Sequence, residues 1–356
     1  VEEMVGAACR AAALDSCERA LASGAFRGAI LVASDANGLD QLPAGVHLDV
    51  DDGSFHFGRR LAGIVDRYRL EAVVYLGGGA LPLLSRDDYV GLARGLALGE
   101  NVAITNNYYS ADLVAFRPAS AIGRIQPPDA DNQLARVLAE EVGFTVHPIP
   151  RSLSTTFDID SPTDLAILAL SGRTDRTGRL GKLLDSLSLN VSRFQAALPF
   201  FTNPRSQVLI AGRVGSHVWQ YLERETACRV RLFVEERGMQ ADGRLEAGEV
   251  RSLLAMYLSE VGEERFFAAL VELGDAAFID TRVLLAHLGI EASRRDRFLS
   301  DLGQPEKIEE PFLRRFTEAA LAASIPVLLG GHSLVSGGLM ALIEFAWQEH
   351  DRKAGA

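Results

Sequence analysis

Apolar and polar positions change period along the chain, and the changes separate helices from strands. An Ala-rich amphipathic stretch over residues 4–23 predicts a helix and leads to the apolar run 28–34, which stops at the turn signal Asp35-Ala36-Asn37-Gly38. Residues 46–50 read as a short strand. Leu61, Ile64 and Val65 stand at helical spacing within 57–68. The run 71–76 reads as a buried strand opening into Gly77-Gly78-Gly79, followed by a helix over 87–98 and a strand over 111–116. A helix over 132–142 and a strand over 145–149 lead towards Phe157. The second half begins with helical patterns at 164–170 and 180–197. Strands follow at 207–212 and 229–235, helices at 216–226, 246–261, 263–273 and 311–324, then a strand at 326–329 and a last helix over 334–349. Strands alternating with helices predict an α/β protein with a mostly parallel sheet.

The stretch 171–179 is polar, charged and Gly-containing, which suits a linker. The expected division is an α/β domain over 1–171, a linker or helical connection over 172–190, and a second α/β domain over 191–356. A chain of 356 residues is long enough for two cores. The formal net charge of -11, with no long run of Lys or Arg, argues against a nucleic-acid or anionic-membrane surface as the main partner. No apolar run approaches the length of a bilayer span. Cys9, Cys17 and Cys228 form no metal-ligand pair or disulfide framework, which points to reduced thiols and a cytoplasmic location.

The densest chemistry lies at Phe157-Asp158-Ile159-Asp160-Ser161-Pro162-Thr163-Asp164-Leu165. A strand ending Asp-Ile-Asp turns both acids to one face. Ser161 can cap the following helix, Pro162 suits its first turn, and Asp164 lies where the helix dipole favours an anion. The cluster suits either a divalent metal carrying nucleotide phosphates or a plain acidic helix start.

This stretch resembles the Asp-Ile-Asp-Thr-Pro-Glu-Asp-Leu motif of nucleotidyltransferases with the glycosyltransferase-A-type fold, and molybdenum-cofactor cytidylyl- and guanylyltransferases are the nearest in pattern. The segment 75–85 is similar to that family's strand ending in Asp-x-Pro-Leu-(Leu/Ile)-(Ser/Thr). The resemblance covers residues 1–171 and implies a Rossmann-like, mostly parallel sheet of the nucleotide-diphospho-sugar transferase type. It further implies transfer of a nucleotidyl group from an NTP to a small phosphorylated or hydroxylated acceptor, with Mg²⁺ held by Asp158 or Asp160. Gly77, Gly78, Gly79 and Pro82 would shape the turn at the nucleotide. Asn106 and Asn107, within 105–110, would meet the acceptor, and Asp35 a base or ribose. Two features depart from the family. Ala80 stands where the strand-end metal ligand belongs. The Gly-rich triphosphate loop would precede the first helix, so it lies upstream of Val1 or is lacking. A degenerate domain that binds ligand or serves as a scaffold is therefore a second expectation.

In the second half, Gly212-Arg213-Val214-Gly215-Ser216 follows a strand and opens a helix, the context of an anion site. Glu235-Glu236 ends the next strand, where a dinucleotide fold carries its ribose-binding acid. Gly330-Gly331-His332-Ser333 joins a buried strand to a helix. Asp280 and Arg282 lie in an apolar segment, where each needs the other if both are buried. A third expectation places the activity here, with Asp280, Arg282 and His332 around one pocket with the Gly loops. The ligand class under all three is a nucleotide or phosphorylated small molecule, and no catalytic residue is singled out.

Overall fold

The computed structural model describes residues 1–39, 41–51, 53–240 and 242–355. The chain divides into two compact units: an N-terminal unit of residues 7–156 with 178–180, and a C-terminal unit of residues 1–6, 157–177 and 181–356. The division falls between Thr156 and Phe157, upstream of the stretch 172–190. The acidic motif and its helix therefore belong with the C-terminal sheet.

The N-terminal elements are α1 (Glu2–Ala22), β1 (Ala29–Ala33), β2 (Val46–Val50), α2 (Phe57–Tyr68), β3 (Val73–Leu76), α3 (Arg86–Leu96), β4 (Val102–Thr105), β5 (Leu113–Arg117), α4 (Leu134–Val142) and β6 (Thr145–Pro148). β1 and β2 form a parallel pair, and a second sheet runs β3-β5-β4-β6. β5 is antiparallel to both β3 and β4, so this sheet is mixed rather than mostly parallel. Alternation explains its two cores. Val114 and Phe116 of β5 meet Phe57, Leu61 and Val65 of α2 and Leu138 of α4 on one face. Leu113 and Ala115 meet Leu92 and Leu96 of α3 on the other.

The C-terminal elements are α5 (Pro162–Ser171), α6 (Arg179–Ser186), α7 (Ser192–Phe201), β7 (Gln207–Gly212), α8 (Ser216–Glu225), β8 (Arg229–Val234), α9 (Leu253–Val261), α10 (Glu263–Leu273), β9 (Ala276–Asp280), α11 (Thr281–Leu288), α12 (Arg294–Asp301), α13 (Pro311–Ala322), β10 (Val327–Gly330) and α14 (Gly337–Ala354). Their sheet is wholly parallel in the order β10-β9-β7-β8. Leu209, Ala211, Ala277, Ile279, Val327 and Leu329 share one face with Leu258, Phe266, Leu313 and Phe316. Phe278 points the other way and meets Phe201 of α7 at 5.3 Å between ring centroids.

This order fixes where chemistry can sit. From β7 the chain moves to one side for β8, then crosses to the other side for β9. Connections that diverge from two neighbouring strands leave open space beyond their carboxyl ends, here those of β7 and β9. Gly212 and Asp280 end these two strands, and Gly330 ends the adjacent β10.

Candidate functional site

Asp280 ends β9 and caps α11 with no intervening loop, its carboxylate accepting the Arg282 backbone N–H at 3.2 Å. The expected Asp280–Arg282 side-chain pair does not form. Asp280 is held instead by Arg213, which donates Nε at 2.6 Å and Nη2 at 3.1 Å. Arg282 donates Nη1 and Nη2 to Asp301 of α12, both at 2.6 Å, and Nη1 also to Thr281 Oγ1 at 2.8 Å. Both carboxylates have 0% side-chain exposure, whereas both arginines keep 16%. Each guanidinium is thus gripped bidentately by a buried carboxylate. Such gripping fixes the planar fork before any ligand arrives.

Glycines permit the approach. Gly212 has φ +129, and a Cβ there would lie 2.3 Å from Asp280 Cβ. Gly331 passes close to Arg282, its imagined Cβ 3.7 Å from Nε.

The acidic motif comes to the same place. Residues 157–161 form no regular strand, and Asp158 makes only an isolated bridge. Phe157 and Ile159 are nevertheless buried, while Asp158 and Asp160 are not, so the expected alternation holds. The Ser333 hydroxyl donates to the Asp158 carbonyl at 2.9 Å, and Thr163 Oγ1 to the Leu329 carbonyl at 2.9 Å, which fixes the motif against β10 and its loop. Ser161 and Asp164 form a reciprocal capping box with Pro162 in the first turn, as the sequence implied. Asp164 Oδ2 accepts from the backbone N–H of Asp160 at 2.9 Å and of Ser161 at 2.7 Å, and from Ser161 Oγ at 3.0 Å. Its Oδ1 is buried without a hydrogen-bond partner.

Electrostatics distinguish the three acids. Burial drives Asp280 upward, but Arg213, aided by His332 and Arg282, outweighs it and holds the carboxyl below its ordinary value. Asp160 moves the other way. Lost hydration raises it, Arg213 and Arg282 oppose the rise, and Asp280 adds to it. Asp160 nevertheless reaches solvent. Asp164 is pushed up to about 8 by burial first and then by the charge of Asp160, against its three hydrogen bonds.

Of the residues expected in this half, Asp280 and Arg282 therefore share one electrostatic cluster with Asp160, and His332 acts on Asp280. Gly212, Gly330, Gly331 and Ser333 shape its edge, and Gly215 is the N-cap of α8, with no side-chain cap. Arg213 and Asp301 were missed. Arg213 sits between the two glycines of the loop after β7, a signal that was present. Asp301 lies on a helix the hydrophobic pattern did not reveal. Glu235 and Glu236 are engaged within the fold. Glu235 accepts from Ser252 Oγ and the Leu253 N–H, both at 2.6 Å, and Glu236 is held by Arg244 and by the Arg251 N–H.

The other expected residues lie in the N-terminal unit. Gly77, Gly78 and Gly79 turn at the end of β3, where the Gly77 N–H meets the Asp112 carbonyl at 3.1 Å. A Cβ on Gly78 would meet nothing within 4 Å. Pro82 is buried, and its carbonyl takes a hydrogen bond from Arg19 at 2.7 Å. Asn106 is buried and structural. Its Oδ1 accepts from the Asp112 and Leu113 N–H groups, and its Nδ2 donates to the Asp112 carboxylate. Asn107 accepts the Tyr109 N–H, and Asp35 is an exposed turn acid accepting the Asn37 N–H at 2.8 Å. Tyr75 donates to Asp131 at 2.8 Å, which places the Asp131 carboxylate near Gly77.

Asp158 and Asp160 are the residues that would hold Mg²⁺. The charges around Asp160 are the guanidinium groups of Arg213 and Arg282, the Asp280 carboxylate paired with Arg213, and the neighbouring Asp164. Among the described residues no group of three or more His, Cys, Asp or Glu side chains could hold a metal. A surface cavity of about 950 Å³ between α10 and α13 lies elsewhere in the unit. Its lining includes none of the residues of the buried ion-pair cluster, so the charges and not the cavity mark the candidate site. No protein-family model matches the chain, and no curated protein matches it in sequence.

Proposed function

We propose that the activity resides at the carboxyl edge of the C-terminal sheet, which binds a small molecule bearing a phosphate or carboxylate group and uses Asp160 for proton transfer. One observation carries this reading: two fully buried carboxylates grip Arg213 and Arg282, and the charge of both arginines converges on the solvent-reaching Asp160. The arginines supply bidentate anion recognition. A carboxyl raised by dehydration, yet reachable from solvent, is suited to exchange a proton with a bound ligand. The test is thermal unfolding with inorganic phosphate, pyrophosphate and nucleoside triphosphates. A ligand-dependent rise in melting temperature that is lost in Arg213→Met, but kept in Asp160→Asn, supports the assignment of binding to the arginines and chemistry to Asp160. No rise with any anion, or a rise indifferent to Arg213→Met, overturns it.

Nucleotidyl transfer in the N-terminal unit is the second reading. It is favoured by the open backbone at Gly78, with Asp112 and Asp131 near the same turn. A nucleoside triphosphate that still raises the melting temperature in Arg213→Met, and no longer does so in Gly78→Val, supports it instead.

A further inference from the structure

The face of the C-terminal unit formed by α9, α10 and α13 carries an apolar surface that the fold does not cover. Leu253, Met256 and Tyr257 stand at i, i+3 and i+4 on α9 with 71%, 45% and 43% of their surface exposed. This is the reverse of the usual arrangement, in which the apolar stripe of a helix faces the core. Tyr257 packs at 6.3 Å against Phe266, a buried residue of α10, which ties α9 to the next helix. There the groove of about 950 Å³ opens, with Phe267, Val271 and Ala319 in its wall and Ala268, Ala322 and Ala323 leaving room for close approach.

The charges around this surface are unbalanced. Glu260, Glu264, Glu272 and Glu318 are exposed and enter no ion pair among the described residues. Glu263 is neutralised by Arg315 at 3.1 Å, which leaves Arg265 as the only other cation lining the groove among the described residues. We propose that this face is a docking groove for a cationic amphipathic helix of a partner polypeptide, whose apolar residues enter the groove while its Lys and Arg meet the four glutamates. Helix-in-groove recognition lays the apolar face of an amphipathic helix into an apolar channel, and complementary rim charges add steering and specificity. The same charge excludes the other occupants. A second copy would bring an identical acidic rim against this one, and an anionic lipid surface would be repelled.

The test uses the full chain and a fluorescently labelled Leu/Lys peptide of helical periodicity, with the Leu/Glu peptide of the same pattern as its counterpart. The Leu/Lys peptide should bind with an affinity that falls as salt rises, and the Leu/Glu peptide should not bind. Glu272→Lys with Glu318→Lys should weaken binding by about tenfold or more. The same number of reversals at exposed acids off this face, Glu291→Lys with Glu306→Lys, should leave it unchanged. Ala322→Trp, an exposed position where folding is not at stake, should block the groove without altering charge. Failure of the Leu/Lys peptide to bind, equal binding of the two peptides, or indifference to the groove reversals and to Ala322→Trp overturns the proposal. So does self-association, or binding to phosphatidylserine vesicles, that depends on Leu253 and Met256.

Discussion

At the scale of single residues, Asp164 shows how burial and hydrogen bonding compete. Three donors on Oδ2 favour the carboxylate, yet the buried Oδ1 has no donor, and the carboxyl is pushed up to about 8. A neutral acid in the folded chain that ionises near its ordinary 3.8 when unfolded binds more protons folded than unfolded between those values. The stability it contributes is complete below pH 4 and is lost as pH rises towards 8, with a limiting slope of about 1.4 kcal/mol per pH unit. Asp164→Asn keeps an oxygen acceptor for the two backbone N–H groups and removes the titration. Urea midpoints of this variant should lose that fall between pH 5 and 8, and the variant should be the more stable protein at pH 8. Asp280 behaves oppositely, because Arg213 compensates its burial. Removing either partner leaves the other buried and unpaired, so Asp280→Asn or Arg213→Met should destabilise the chain by about 3–5 kcal/mol in equilibrium denaturation. Gly212→Ala should disturb the same pair from the backbone side, since its Cβ falls on that of Asp280.

At the scale of elements, local pattern identified most helices and strands where one face is apolar and the ends are punctuated. β2 and α2 lie at the expected residues, and α5 begins at its Ser-Pro cap. β4 escaped because it is four residues long, buried on both faces and without alternation. β9 and α11 were read as one apolar segment, since Asp280 ends the strand and caps the helix at once. Of the expected helix over 246–261 only 253–261 is helical; 246–248 are turns with Gly248 at φ +65, and 249–252 are irregular. Side-chain partners were the least legible feature. Arg213 meets Asp280 across 67 residues, and no local pattern encodes which strand ends become neighbours. Asn106 makes the point for the N-terminal sheet. Its amide looked like an acceptor site, but it fastens the start of β5 to the end of β4 through Asp112 and Leu113. Asn106→Ala should leave these buried groups unsatisfied and cost about 3 kcal/mol, read as a drop in denaturation midpoint.

At the scale of the whole chain, the division after Thr156 changes what the acidic motif means. Resemblance joined residues 157–165 to the preceding α/β order, yet their contacts are with the C-terminal sheet. Phe157, Leu165 and Ile167 are fully buried, and Thr163 and Ser333 bond the motif to β10 and its loop. The motif supplies that unit with core surface as well as with Asp160 and Asp164. A fragment beginning at Phe157 should therefore unfold cooperatively and retain any anion-induced rise in melting temperature. One beginning at Gly172 keeps the complete parallel sheet but loses α5 and the buried side chains of Phe157, Ile159, Leu165, Ala166, Ile167 and Leu168, the larger of which contribute about 1.5–3 kcal/mol each. It also loses Asp160, on which both arginines act. That shorter fragment should show a broadened transition and no response to phosphate in the same thermal assay. Equal behaviour of the two fragments would return the motif to the N-terminal unit and separate it from the arginine pair.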